Sequence, residues 1–208
     1  MGRHAFEDEQ LLLVDDSDRV VGHASKGDCH LGSGRTHRAF SAVVVDTDQR
    51  VLLARRASDK PLWPGHWDAT VASHPRASES YADAARRRIV EELGAEVTAT
   101  LGRRFRYRIA YESIGVEDEL CAALVAVVDP DTEFEPVATE IDAVEWVTLD
   151  DLTARLDGGD ATLCPWLPLT LLGLANDAPQ LITPALQNAA RSWLERAPFE
   201  GEWFLLPA

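Results

Sequence analysis

From Ala69 to Gly94 the chain reads ATVASHPRASESYADAARRRIVEELG, and the second half of that stretch decides the architecture. Within Ser80–Leu93 the small or apolar residues Ala84, Ala85, Ile89 and Leu93 fall on helical spacing, and Gly94 supplies a C-terminal stop. A helix is therefore predicted. Around it the pattern shortens to strands. Leu11–Val14 and Arg19–Gly22 flank the turn-forming Asp15-Asp16-Ser17-Asp18, and Ala39–Val45 and Val51–Ala54 flank Asp46-Thr47-Asp48-Gln49, so two hairpins are expected. Between them Lys26–Arg35 reads as a polar loop that delivers His30 and His37. Phe105–Tyr111, Glu119–Val128 and Val144–Val147 read as further strands, Asp150–Leu156 as a helix, and Pro165–Arg196 as a longer helical region. Strands mixed with helices, with no internal repeat and no Gly/Ser-rich linker, argue for one α/β layered domain.

Composition narrows the function classes. With 208 residues and 46% apolar content the chain can bury a full core in one domain. No run approaches the roughly 20 apolar residues that span a bilayer, so membrane insertion is not expected. Met1–Gln10 is charged rather than signal-like, which points to a cytoplasmic protein. Twenty basic against 35 acidic residues give a net charge of -15, which repels nucleic acid and requires that any anionic ligand be held in a local basic pocket. Lys26 and Lys60 are the two lysines; arginine supplies every other basic residue. Cys29, Cys121 and Cys164 form no CxxC pair and read as reduced, buried thiols.

Two groups of residues carry candidate chemistry. On the predicted helix Arg87, Glu91 and Glu92 point in neighbouring directions, and adjacent carboxylates repel unless a cation joins them. A hard ion such as Mg²⁺ would do so and could bridge to a diphosphate; a solvated charged face is the plainer reading. His30, His37 and His74 are three of only six histidines, and alternation in Glu117-Asp118-Glu119 turns both glutamates to one strand face. Imidazole with carboxylate suits Zn²⁺, Mn²⁺ or Fe²⁺.

These residues stand in an ordered series. It comprises Lys26-x3-His30-x6-His37-Arg38-Ala39-Phe40-Ser41, Arg55-Arg56-Ala57-x2-Lys60, Trp63-Pro64-Gly65-x-Trp67 and His74-Pro75. It continues through Arg87-Arg88, Glu92-Leu93-Gly94, Phe105-Arg106-Tyr107-Arg108, Glu117-x-Glu119 and Pro165-Trp166. From about Leu11 to about Arg196 the chain resembles type 1 isopentenyl-diphosphate isomerase, of the Nudix fold superfamily. The resemblance implies a Nudix-type α/β/α sandwich with a mixed β-sheet, a single domain with short terminal additions. Residues 1–37 would form an N-terminal hairpin and metal-ligand loop, 38–197 the catalytic domain, and 198–208 an apolar tail packed on the body.

It further implies a metal site of His30, His37, His74, Glu117 and Glu119 holding Zn²⁺ or Mn²⁺. Mg²⁺ would be held by Glu92, the main-chain carbonyl of Ala72 and the substrate diphosphate. Lys26, Arg56, Lys60 and Arg88 would hold the diphosphate, and Trp166 would stabilise a carbocation through its π face. Glu119 and Tyr107 would be the acid/base pair that protonates the alkene of a prenyl diphosphate. Trp63 reads as core. The group facing Glu119 in the family is a cysteine, and Ala72 stands at its position, with Ser73 in place of glycine. A methyl group carries no proton, so ordinary isomerisation should fall by the 10²–10⁴-fold typical of a lost acid/base group, leaving isomerisation or cyclisation of another prenyl diphosphate. Cys164, two residues before Trp166, is the first candidate for a replacement proton carrier. Two alternatives are Nudix-type diphosphate hydrolysis, for which Glu79, Arg87, Glu91, Glu92 and Gly94 fit the general box, and an inactive prenyl-diphosphate-binding relative.

Overall fold

A computed structural model describes residues 9–197, 199 and 203–207. Residues 1–8 of the expected N-terminal segment, and 198, 200–202 and 208 of the expected tail, lie outside the described residues.

The spine of the molecule is a parallel pair. Strand β3 (His37–Asp46) lies beside β8 (Gly115–Val128) from His37↔Glu119 to Asp46↔Val128. Both strands are buried on both faces, which is why they read as nearly unbroken apolar runs rather than alternations. Outward from β8 come β7 (Ala99–Tyr111) and the short β10 (Phe204–Leu205), both antiparallel. The other flank of β3 is shared along its length. Leu13 of β1 (Gln10–Val14) meets His37, β6 (Val71–Ser73) pairs with Phe40–Ala42, and β4 (Val51–Arg56) pairs with Val44 and Val45. β2 (Val20–Ser25) completes the first hairpin, and β5 (Trp67–Asp68) and β9 (Ile141–Val147) line β4.

Helices cover both faces. On one face α2 (Tyr81–Leu93) buries Ala84, Ala85, Ile89 and Leu93 against Phe40, Val44, Leu52 and Leu124. Its limits are chemical: Ser80 accepts from Asp83 N as N-cap, and Gly94 takes φ 72° as C-cap. On the other face α3 (Leu149–Asp157), α4 (Leu167–Gly173) and α5 (Pro184–Arg196) bury Leu152, Leu169 and Trp193 against Val43, Phe105 and Val125. This is the expected mixed-sheet α/β/α sandwich.

Three local expectations change. Lys26–His30, read as loop, is a five-residue helix, α1, capped by Ser25. Pro165–Arg196 is not one helical region, because turns at 174–182 and a fresh N-cap at Thr183, followed by Pro184, separate α4 from α5. The long hairpin strands start earlier than their apolar runs, at Ala99 and Gly115. Among the described residues no helix is long and apolar enough to cross a membrane.

Candidate active site

The end of α1, the start of β3, the exit of β6 and the start of β8 meet at one point, and each contributes a ligand-type side chain. Gly115 makes this approach possible, since a Cβ there would lie 2.1 Å from the His30 carbonyl oxygen. Donor atoms of His30, His37, His74 and Glu119 all fall within 4.8 Å of one another, and all four residues are buried. His74 Nε2 is 3.3 Å from His30 Nε2 and 3.2 Å from His37 Nε2. Glu119 Oε1 completes the set at 3.4 Å from His37 Nε2 and 3.5 Å from His74 Nε2. Glu117 stands outside the quartet, its Oε2 2.9 Å from His30 Nδ1, the position of a group that orients a ligand from behind.

Burial pushes His74 down to about 3 and His30 well below its ordinary value, so both rings are neutral. Burial also opposes the charge on His37, but the hydrogen bond and charge of Glu119 raise it. For Glu119 burial disfavours ionisation, yet the imidazoles of His37 and His74 hold the carboxyl well below its usual range. Glu117 is pushed up to about 8 by burial and by the charge of Glu119. His37 Nδ1 faces the Arg35 carbonyl at 2.8 Å, which directs the Nε2 lone pair into the cluster. Converging imidazole nitrogens beside an ionised carboxylate are the donor set of a borderline divalent ion, so the residues fit the implied metal.

His30, His74 and Glu119 of this cluster line one end of a cavity of about 70 Å³. Tyr107, opposite Glu119 in the β7–β8 ladder, donates from Oη to Glu119 Oε2 at 2.6 Å. Burial and the Glu119 charge keep its phenol protonated. Lys26, Arg56, Lys60 and Arg88 all line the same cavity, as do Ala72 and Trp166. Glu92 is not part of that lining; it is buried beneath Arg88 and paired with it. His37, fully buried, belongs to the cluster but is not part of that lining.

Several participants were not foreseen. Asp68 is buried and binds two expected site residues at once, accepting from Trp166 Nε1 at 2.7 Å and from Arg56 Nη1 at 3.3 Å. Burial raises its carboxyl to about 6 against the opposing charge of Arg56. Arg56 also donates to the carbonyls of Trp63 and Leu62, and its guanidinium carbon lies 5.4 Å over the Trp166 ring. Trp63, buried as expected, takes φ 47° to present that carbonyl. Glu140 bridges Lys60 and Arg88, and Glu9 holds Lys26 at 3.0 Å. Asp68 and Glu140 carried no local signal, since their partners lie up to 98 and 80 residues away. All three cysteines are free and buried. The cavity is lined by Cys121, and Cys164 is not part of that lining but lies beside Asp68.

A NUDIX domain profile matches residues 35–167. The chain is 37% identical over 173 residues to an isopentenyl-diphosphate Delta-isomerase of Haloarcula marismortui, covering 81% of this chain and 92% of that protein. It is 39% identical over 168 residues to one of Halobacterium salinarum, covering 78% of each. Among solved structures, DR0079 from Deinococcus radiodurans superposes with a TM-score of 0.62 at 23% identity, over 79% of this chain and 99% of that one, a likeness of fold.

Proposed function

Since the chain belongs to the Nudix family, and within it to the isopentenyl-diphosphate isomerases, we propose that it is an isomerase-like enzyme acting on a prenyl diphosphate by metal-assisted protonation of an alkene. The observation that carries this reading is the joining, in one cavity, of the Tyr107–Glu119 pair to the cations Lys26, Arg56, Lys60 and Arg88. One end can move a proton and the other can hold a diphosphate.

His30, His37, His74 and Glu119 would hold a divalent ion, Zn²⁺ or Mn²⁺, with Glu117 as fifth ligand or orienting group; Glu92 and the main-chain carbonyl of Ala72 are assigned to Mg²⁺ with the diphosphate. A bound cation supplies positive charge that makes neighbouring proton donors more acidic. Arg56 is prepositioned by Asp68 and two carbonyls, so little of its side-chain entropy remains to be lost on binding. Glu119 and Tyr107 hold the proton delivered to the alkene. The Trp166 indole, buried and fixed through its Nε1, presents an aromatic face to the tertiary cation that results.

Ala72 lines this cavity, and the resemblance assigns its position to the family's cysteine, so conversion of isopentenyl to dimethylallyl diphosphate should run at least about 10²-fold below an enzyme with both acid/base groups. Isomerisation or cyclisation of a longer prenyl chain is the corresponding gain of space. Hydrolysis is disfavoured because Glu91, a box acid, is tied to Arg87 at 3.1 Å and Arg88 at 2.9 Å. The deciding experiment incubates the purified protein with Mg²⁺ and C5 to C20 prenyl diphosphates in deuterated water. Deuterium in the hydrocarbon is expected. Phosphate release without it would make the protein a hydrolase, and neither would make it a binding relative.

A further inference from the structure

Ser41 stands on β3 directly across the antiparallel ladder from Ala72, and beside Ala123 in the parallel one. It is fully buried, it lines the catalytic cavity, and its Oγ has no hydrogen-bond partner in the protein. A buried hydroxyl in that state is rare, and ordinarily marks a bound water or ligand. Two neighbours on the same wall offer it nothing. Ala72 presents a methyl group, and the Cys121 thiol turns its weak donor toward the Ala122 carbonyl at 3.9 Å.

Position gives this hydroxyl its meaning. His37 and Glu119 are partners at one end of the β3–β8 pair, and Ser41 lies four residues along β3 from His37. Roughly 13 Å of strand therefore separates the two ends of the cavity, a span that a glutamate side chain, a short alkene and one water can fill. The Glu119–Tyr107 pair occupies the first end and Ser41 the second, with Ala72 beside it.

We propose that Ser41 Oγ holds a water in the space beside Ala72, and that this water is the proton acceptor facing the Glu119–Tyr107 pair. The inference rests on the isomerase reading above. In the step, the Glu119–Tyr107 pair delivers a proton, the alkene π electrons form the new C–H bond, and a tertiary cation remains. The water's lone pair then removes a proton from the adjacent carbon, and the C–H electrons become the relocated double bond. That proton leaves to bulk solvent as hydronium, and the donor pair regains one from solvent, so nothing is consumed. A hydrogen next to a tertiary carbocation is acidic enough for water to accept it, which a methyl group cannot do.

The test is a cycle of Ser41→Ala, Ala72→Cys and the double variant, each metal-loaded and checked for an unchanged melting transition. Conversion of isopentenyl diphosphate and deuterium uptake are read in deuterated water. Ser41→Ala should lower kcat by about 10²-fold, the effect of losing a general base, while KM stays within about twofold. Ala72→Cys should raise conversion, because a thiol replaces the water, and in that background Ser41→Ala should cost far less. Equal losses in both backgrounds, or no loss in either, overturn the proposal. An inert parent protein beside an active Ala72→Cys variant overturns the water as proton acceptor but leaves the isomerase reading standing. Four inert proteins overturn the reading itself.

Discussion

Asp68 accepts from Trp166 at 2.7 Å and from Arg56 at 3.3 Å, so one buried carboxylate sets the orientation of both the aromatic wall and a cation of the cavity, the one proposed to face the diphosphate. Asp68→Asn keeps an acceptor for the indole and removes the charge facing Arg56. We expect KM for prenyl diphosphates to rise by roughly 12- to 160-fold, the equivalent of the 1.5–3 kcal/mol typical of a hydrogen bond to a charged group, with a smaller change in kcat. The sign with pH follows from the same residue. Its carboxyl is raised from 3.8 to about 6, chiefly by burial, so it loses its charge as pH falls from 7 to 5 and Arg56 loses its partner. KM should rise through that window in the parent protein, and this component should be missing in Asp68→Asn, which keeps every other titration of site and ligand. Identical pH profiles would sink the assignment. At the histidine cluster the expectation is compositional: elemental analysis should find one transition-type divalent ion per chain, lost in His37→Ala because the quartet shrinks to two imidazoles and a carboxylate. Equal metal in both proteins would refute it.

Elements explain how His30 reaches that cluster, and also where sequence reading runs out. Helix α2 was legible to within a residue because its signals are local, an apolar stripe and Gly94 after it; Ser80, read as its first residue, is its N-cap. Helix α1 was not, since five residues with Gly27 inside them carry no helical period and are too short to be helical without the Ser25 cap and tertiary packing. The break between α4 and α5 had its signal in Thr183-Pro184, a cap and an N1 proline, which the apolar residues on both sides obscured. Strands β5 and β6, of two and three residues, are too short to show alternation at all. Resemblance could place His30, His37, His74 and Glu119 in one site, but it named no supports, so Asp68, Glu140 and Ser41 emerged only with the packing. Gly115 belongs to the same class. Its added Cβ would meet the His30 carbonyl oxygen at 2.1 Å and its carbon at 3.1 Å, both backbone atoms that cannot rotate away. Gly115→Ala should therefore push α1 off β8, lowering stability by about 1–3 kcal/mol as overpacking does, and lowering bound metal with it. A variant with unchanged melting temperature and full metal content would show that α1 is not positioned by this contact.

At the scale of the whole molecule, a chain of net charge -15 would have to bind the proposed diphosphate against its own field. The structure concentrates both lysines, with Arg56 and Arg88, at one cavity. It also keeps them from repelling one another, because Glu140 bridges Lys60 and Arg88 while Glu9 pairs with Lys26 at 3.0 Å. Burial lowers the pKa of Lys60 and Glu140 opposes that shift, so the carboxylate plays in the resting site the part that a phosphate oxygen would play in the complex. Two substitutions then have opposite signs. Lys60→Ala removes a half-buried cation and should weaken binding of isopentenyl diphosphate with Mg²⁺ by roughly 1.5–3 kcal/mol, the range for charge-assisted hydrogen bonds. Glu140→Gln removes the competing carboxylate and should tighten binding, although the variant is more exposed to repulsion among its cations and should melt earlier without ligand. Isothermal titration at two salt concentrations separates these local effects from the global field. Long-range repulsion is screened beyond about 10 Å at 0.1 M salt, whereas the buried contacts are screened much less, so the difference between Lys60→Ala and the parent should persist at both. If Lys60→Ala binds as tightly as the parent, or if its deficit disappears with salt, the diphosphate is held elsewhere.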